Sequence, residues 1–313
     1  MNVLPASVAR RKKAARIYRR LCNDWQLYLL IIPAVIYVFL FNYVPMYGVQ
    51  IAFKDFSTKK GIWDSPWVGL KHFARFINYP NCWKIVRNTL SITIYSLATF
   101  PIPIIVSLML NELDNQKFKK TVQMVSYAPH FVSTVVVCSM VTLFMDRSNG
   151  IINHLVALLG GKRNDWLSVP GLFSDIYVWS GVWQNTGWGT IIYLAALSGV
   201  SPELHEAARI DGASRLRIVW HINLPAIAPT VITMLIMRFG QIMNLGFEKI
   251  YLLQNSLNLD TSQVIATYVY EMGVVSGQFS YSSAIGLFNT AINILLLYIV
   301  NQISNKVADV SLW

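Results

Sequence analysis

Six apolar runs constrain this chain more than any other feature of its sequence. They fall at about residues 27–49, 88–110, 122–145, 176–198, 227–247 and 282–304. Roughly 20 residues of helix are needed to cross about 30 Å of hydrocarbon, and each run meets that length. Only 13% of the 313 residues are charged and 54% are hydrophobic, whereas a soluble domain carries about 25% charged residues. Strands of a membrane barrel would run about 10 residues with strict alternation, and these runs do not alternate. The expectation is an all-α, polytopic membrane protein with six transmembrane helices, in which residues 27–313 form the membrane domain and residues 1–26 a basic tail.

The net charge of +11 is concentrated where it speaks for a membrane and not for nucleic acid. Arg10, Arg11, Lys12, Lys13, Arg16, Arg19 and Arg20 directly precede the first run, the pattern of a cytoplasmic juxtamembrane anchor. A signal peptide also begins this way, but this run is too long and ends in "FNYVPMYG" with no small-x-small cleavage pattern. Six spans with the N-terminus inside put the C-terminus inside too, together with Lys117, Lys119 and Lys120. The expected location is the cytoplasmic membrane of a bacterium. The first outer loop carries Lys54, Lys59, Lys60, Lys71, Arg75 and Lys84, so the positive-inside bias is modest.

Several chemistries are missing. No G-x-x-x-x-G-K-[ST] loop occurs, and "LLGGKRND" lacks both the first glycine and the hydroxyl, so no ATP or Mg is expected on this chain. The six runs hold no interior carboxylate; Asp175 and Glu248 sit at run ends and Glu112 just beyond one. Ion-driven carriers usually titrate such a group inside the membrane, although carbonyls alone can hold sodium, and a secondary carrier stays open as a second reading. His72, His130, His154, His205 and His221 form no ligand spacing and read as surface or interface residues. Cys22, Cys82 and Cys138 are too scattered for a disulfide framework or a metal site. A membrane enzyme would need a polar catalytic cluster, and none is present.

Against this background the segment from Glu206, "EAARIDGASRLRIVWHINLPAIAP", is unexpectedly polar. Ser201, Pro202 and Glu203 form a helix start: an N-cap, a proline where no N–H is needed, and an acid in the first turn. A short helix should run from Pro202 to about Ile210, end at Gly212 in the left-handed conformation, and be followed by a second short helix from Ala213 to about His221. Ala207, Ala208, Gly212 and Ala213 allow close approach, and Glu206, Arg209, Asp211, Arg215 and Arg217 ring them with charge. Docking to a partner and a solvated loop are both consistent with that pattern.

The spacing E-A-A-x-x-D-G-A followed by Ile222, Leu224, Pro225 and Pro229 resembles the EAA loop of ABC importer permeases, in the sugar branch. The strings "NYVPMYGVQIAFKDF", "WVGLKHFARF", "RNTL" and "GFEKIYLL" are similar to permeases for complex oligosaccharides and polysaccharide fragments. Amino-acid and metal permeases share the loop, and the Asp-Gly-Ala ending and the N-terminal strings favour sugars over those non-sugar solutes, which stay as an alternative. The resemblance implies a type I ABC importer permease fold, with residues 199–226 as a cytoplasmic coupling loop. It implies that Glu206, Ala207, Ala208, Asp211, Gly212 and Ala213 seat in a separate ATPase that performs the hydrolysis. It further implies a second, different permease as heterodimer partner, a dimer of ATPase subunits, an extracytoplasmic solute-binding protein, and an oligosaccharide as cargo.

A stripped sugar needs hydrogen-bonding side chains and aromatic faces along its path. In the fourth run Gln184 and Trp188 lie one turn apart with Asn185 beside them, among Gly181, Gly187 and Gly189. In the fifth, Arg238, Gln241 and Asn244 fall within about 120° of one helix face. Asn289 and Asn293 in the sixth are further candidates. The resemblance, aligned on Glu206, puts Trp183 on a tryptophan of maltose-type permeases and Gln184, Asn185 and Trp188 near their ligand contacts. Each of these residues has a packing alternative, since amides in membrane helices often bond to neighbouring helices. Arg238 has two readings: a counter-charge for an acidic sugar such as a uronate, or a donor to carbonyls at a helix break beside Gly240.

Overall fold

The computed structural model describes residues 24–240 and 245–308, excluding the side chains of residues 303, 304 and 306–308. Most of the basic tail, and Gln241 and Asn244 of the candidate path, lie outside the described residues. The structure is helical throughout, and among the described residues the β pairing is confined to two isolated bridges, Lys54 with Trp67 and Ser57 with Gly61. We label the principal helices α1 Trp25–Phe53, α2 Cys82–Asn111, α3 Gln116–Phe131, α4 Thr134–Met145, α5 Phe173–Ser198, α6 Pro202–Ile210, α7 Arg215–Phe239, α8 Phe247–Leu253, α9 Ile265–Val275 and α10 Phe279–Ala308.

The chain separates into two compact units, one ending at Val68 and the other beginning at Gly69. In the first unit α1 is apolar all round and leads into a loop closed on itself. There the Lys54 ammonium donates to the carbonyls of Ile62 (2.7 Å) and Trp63 (3.3 Å), and Phe53 stacks on Trp67 at 5.7 Å. One of the lysines counted against the positive-inside pattern is therefore spent on local carbonyls.

In the second unit, α2, α7 and α10 are long and apolar enough to cross a membrane, as α1 is. The expected third span is not one straight helix: α3 and α4 meet at 101°. The cause is written in "YAPHFVS", where Pro129 cannot donate an N–H and Ser133 is free to start a new helix by accepting from Val136 N. Four spans, or five with this bent pair as one, meet the length and apolarity tests among the described residues. α5 is 26 residues long but is diluted by Gln184, Asn185, threonines and glycines. It is the central helix of the unit, touching α2, α3, α4, α7 and α8.

Lipid offers apolar helices no hydrophobic reason to associate, so close approach and hydrogen bonds must do it. At Gly187 a Cβ would stand 2.0 Å from the Ser126 carbonyl oxygen, so α5 and α3 touch backbone to backbone. Toward one end Ile104, Tyr193, Leu197 and Ile227 join α2, α5 and α7. Elsewhere Phe76, Ile85, Ile265, Tyr268, Tyr281 and Ile285 pack around α9.

α7 corrects the expected boundaries. The second short helix predicted after Gly212 is the first part of α7, continuous from Arg215 to Phe239. Its π-helical turn at Val219–Asn223 lies just before Pro225, which has no N–H for the carbonyl of residue 221. The helix that carries the fifth apolar run thus starts well before residue 227 and ends at Phe239 instead of residue 247.

Candidate functional site

Two places in the second unit gather the residues singled out by sequence. The first is α6. Ser201 accepts from Glu203 N at 3.3 Å and Pro202 opens the helix. At its other end Gly212 has φ +75°, Gly212 N donates to Arg209 O at 3.1 Å and Ala213 N to Ala208 O at 2.8 Å. That pair of bonds is a Schellman cap, and it needs the left-handed residue that glycine supplies most cheaply. Glu206, Ala207, Asp211 and Gly212 are exposed, with Ala208 and Ala213 half-buried. Ile210 is 87% and Leu216 74% exposed, so the tip presents apolar as well as charged groups.

α6 is anchored by residues that sequence reasoning did not assign. The buried Asn223 of α7 accepts from His205 Nε2 at 2.7 Å and donates to Glu112 Oε1 at 3.3 Å. Arg215 reaches Asp114 at 3.1 Å and the Glu112 carbonyl at 3.4 Å. His205, Asn223 and Glu112 thus join α6, α7 and the end of α2 in one chain of hydrogen bonds. Their separation in sequence hides it.

The second place is a cavity of ≈ 810 Å³ walled by α2, α5, α7 and α8. Asn185, Trp188 and Arg238 line it. Trp188 is stacked on His130 at 4.6 Å and 6°, and Phe131 meets it edge-on at 5.5 Å. Asn185 Nδ2 donates to the Gly181 carbonyl at 3.0 Å, so its Oδ1 accepts, at 3.1 Å, from His130 Nδ1. The break between α3 and α4 brings His130 to this wall, where it holds both an amide and an aromatic face in place. An aromatic face beside fixed amide groups suits a sugar ring, whose C–H face is apolar and whose edge is polar.

Other candidates sit elsewhere. Gln184 is buried and donates from Nε2 to the Val132 carbonyl at 3.1 Å, satisfying an acceptor released by the broken span. Its amide is thereby committed to packing and is absent from the cavity lining. Trp183 faces a different, apolar hollow of ≈ 440 Å³ with Met140, Phe144 and Trp179. Asn289 is half-buried on α10, outside the lining of the large cavity. Arg238, the last residue but one of α7, is exposed on the cavity wall and forms no ion pair among the described residues.

The lining includes one residue that the sequence reading passed over. Lys249 on α8 is 9% exposed, and its ammonium has no hydrogen-bond partner among the described residues. It lies over the Tyr177 ring at 5.2 Å from the centroid. Burial pushes it down to about 8, with Cys138 opposing that shift. Among the described residues no group of three or more His, Cys, Asp or Glu side chains is placed to hold a metal.

The chain, helical and with an exposed, doubly capped helix between α5 and α7, has the type I ABC importer permease fold. The chain belongs to the family of binding-protein-dependent transport system inner membrane components, whose pattern matches residues 83–309. It is 42% identical over 305 residues to the polygalacturonan/rhamnogalacturonan transport system permease protein YteP of Bacillus subtilis (strain 168), covering 97% of this chain and 95% of that one. The structure superposes with a TM-score of 0.87 and 34% identity on a bacterial ABC transporter involved in import of the acidic polysaccharide alginate, over 94% of this chain and 99% of the other. A bacterial alginate ABC transporter in complex with its alginate pentasaccharide-bound periplasmic protein matches equally, at TM-score 0.87 and 33% identity, over 95% and 100%. This chain is a transport component, the permease subunit of an ABC importer.

Proposed function

We propose that the chain forms half of an oligosaccharide pore whose opening is driven by a separate ATPase seated on α6. The observation that carries this reading is the anchoring of α6. A short exposed helix, rigidified at both ends, is tied through His205, Asn223 and Glu112 to two of the helices that wall the cavity. A push on its exposed tip is therefore delivered to α2 and α7. Glu206, Ala207, Ala208, Asp211, Gly212 and Ala213 form the docking face, with Ile210 at its apolar tip.

The cargo face is the cavity wall around Asn185, Trp188 and Arg238, where Gln241 and Asn244 remain candidates from the sequence. A second homologous permease closes the pore from the other side, and an extracytoplasmic binding protein delivers the sugar, as the periplasmic protein accompanies the alginate transporter. ATP and Mg belong to the ATPase dimer, which carries out hydrolysis. The complex sits in the bacterial cytoplasmic membrane with both termini of this chain inside. YteP and the alginate transporter support an oligosaccharide as substrate.

Affinity purification of the tagged chain after mild detergent extraction tests docking. Wild type should bring down an ATP-hydrolysing subunit, and Glu206→Lys and Gly212→Asp should lose it. Absence of any ATPase from cross-linked wild-type preparations would overturn the proposal.

A further inference from the structure

Lys249 is an expensive residue that nothing among the described residues explains. A buried ammonium without a partner loses hydration that no hydrogen bond replaces. Its neighbour Glu248 is exposed, and the described residues contain no ion pair to Lys249. What surrounds the ammonium is a fitted niche. The Tyr177 ring lies beneath it, and Gly181 leaves its space open, since a Cβ there would stand 3.3 Å from Nζ. An alkyl side chain would fill the niche at lower cost, so the charge must be compensated by something that visits the cavity.

The charge balance of the wall says what that visitor is. Lys249 and Arg238 both line the cavity, and no Asp or Glu is among the residues lining it. Neutral sugar hydroxyls can accept from either cation but leave both charges uncompensated. A carboxylate accepts from them and also neutralises the charge, which is what a buried cation otherwise lacks. The aromatic face of Trp188 and the amide of Asn185 take a sugar ring in either case.

We propose that Lys249 is the charge-reading residue of the translocation path, pairing its ammonium with the carboxylate of a uronate unit while Trp188 and Asn185 hold the ring. Arg238, exposed on the same wall, supplies the second cation, so successive uronates of an acidic chain can be handed from one to the other. This rests on the importer reading above and adds the charge of the cargo to it.

The test is uptake by cells carrying the complete importer, with trigalacturonate and its fully methyl-esterified form as labelled probes. Wild type, Lys249→Met and Lys249→Arg are compared, and co-purification of the ATPase subunit confirms that each complex assembles. In Lys249→Met the ratio of acid to ester uptake should fall at least about tenfold, and Lys249→Arg should restore most of it. The binding protein is the same in all three strains, so its own selectivity cancels. If wild type takes up the acid alone, loss in Lys249→Met with rescue in Lys249→Arg supports the inference, and failure of the rescue overturns it. Equal loss of both probes, or no change in their ratio, also overturns it. If wild type with its ATPase bound takes up neither probe, the uronate inference is overturned while the importer reading, carried by the bound ATPase, stands.

Discussion

The coupling helix α6 and the cavity wall are built on opposite plans. α6 is specified by its own residues: Ser201 and Pro202 start it, Gly212 ends it, and its caps are bonds between residues at most five apart. The wall is specified by distant residues. Trp188 stands where it does because His130 on the bent α3 stacks against it, and Lys249 comes from a helix beyond the end of α7. The difference teaches where variation is tolerated. An exposed element held by its own caps can lose its partner without unfolding the rest, whereas the wall shares its residues with the packing of the unit.

The contrast is broken most forcefully at Gly187. Valine there would drive side-chain atoms into the Ser126 backbone, and backbone cannot move aside. We expect destabilisation at or above the upper end of the about 1–3 kcal/mol typical of overpacking, read as loss of folded permease in detergent thermal melts. A wild-type melting curve would show that α3 and α5 are not in contact. Next comes Asn223→Ala, which strands His205 and Glu112 at a cost of about 1–3 kcal/mol. Its signature should be uncoupling, with ATPase still bound but uptake per ATP reduced; unchanged uptake would detach α6 from α2 and α7.

Gly212→Ala sharpens the comparison by confining its effect to α6. Forcing a Cβ into φ +75° costs about 1–2 kcal/mol. ATPase co-purification should weaken while the melt of the membrane unit stays within a degree or two; a matching fall in both would show that α6 is not independent. The smallest effect is with pH. The Lys249 ammonium is faced by Tyr177 of α5, Cys138 of α4 and Arg238 of α7, with Glu248 beside it on α8. With burial pushing it down to about 8, it is charged below that pH and neutral above. Raising the pH from 7 to 9 should lower acid uptake several-fold and leave ester uptake flat, whereas parallel profiles would remove Lys249 from charge recognition.

What the sequence showed and hid follows from the same contrast. The helical membrane class was legible because apolar length is a property of consecutive residues, and α6 because caps are local. The break at Pro129 and Ser133 was also legible in "YAPHFVS", but apolarity on both sides masked it. The extension of α7 back to Arg215 was missed because Pro225 reads as a helix start, whereas the helix absorbs it with a π turn. For Gln184 neither residue type nor spacing chooses between the cavity and the Val132 carbonyl, since that choice depends on a bend about fifty residues earlier. Lys249 had no local signal at all: its burial, and its lack of a partner among the described residues, exist only once α5, α7 and α8 have met.

The central claim, that a separate ATPase drives this permease, is tested most directly by uptake into proteoliposomes holding the complete complex with its binding protein, with and without ATP inside. The account predicts accumulation of labelled oligosaccharide only with ATP, and its loss in Gly212→Asp. Uptake at the same rate without ATP, driven by an ion gradient, would contradict it and make the protein a secondary carrier.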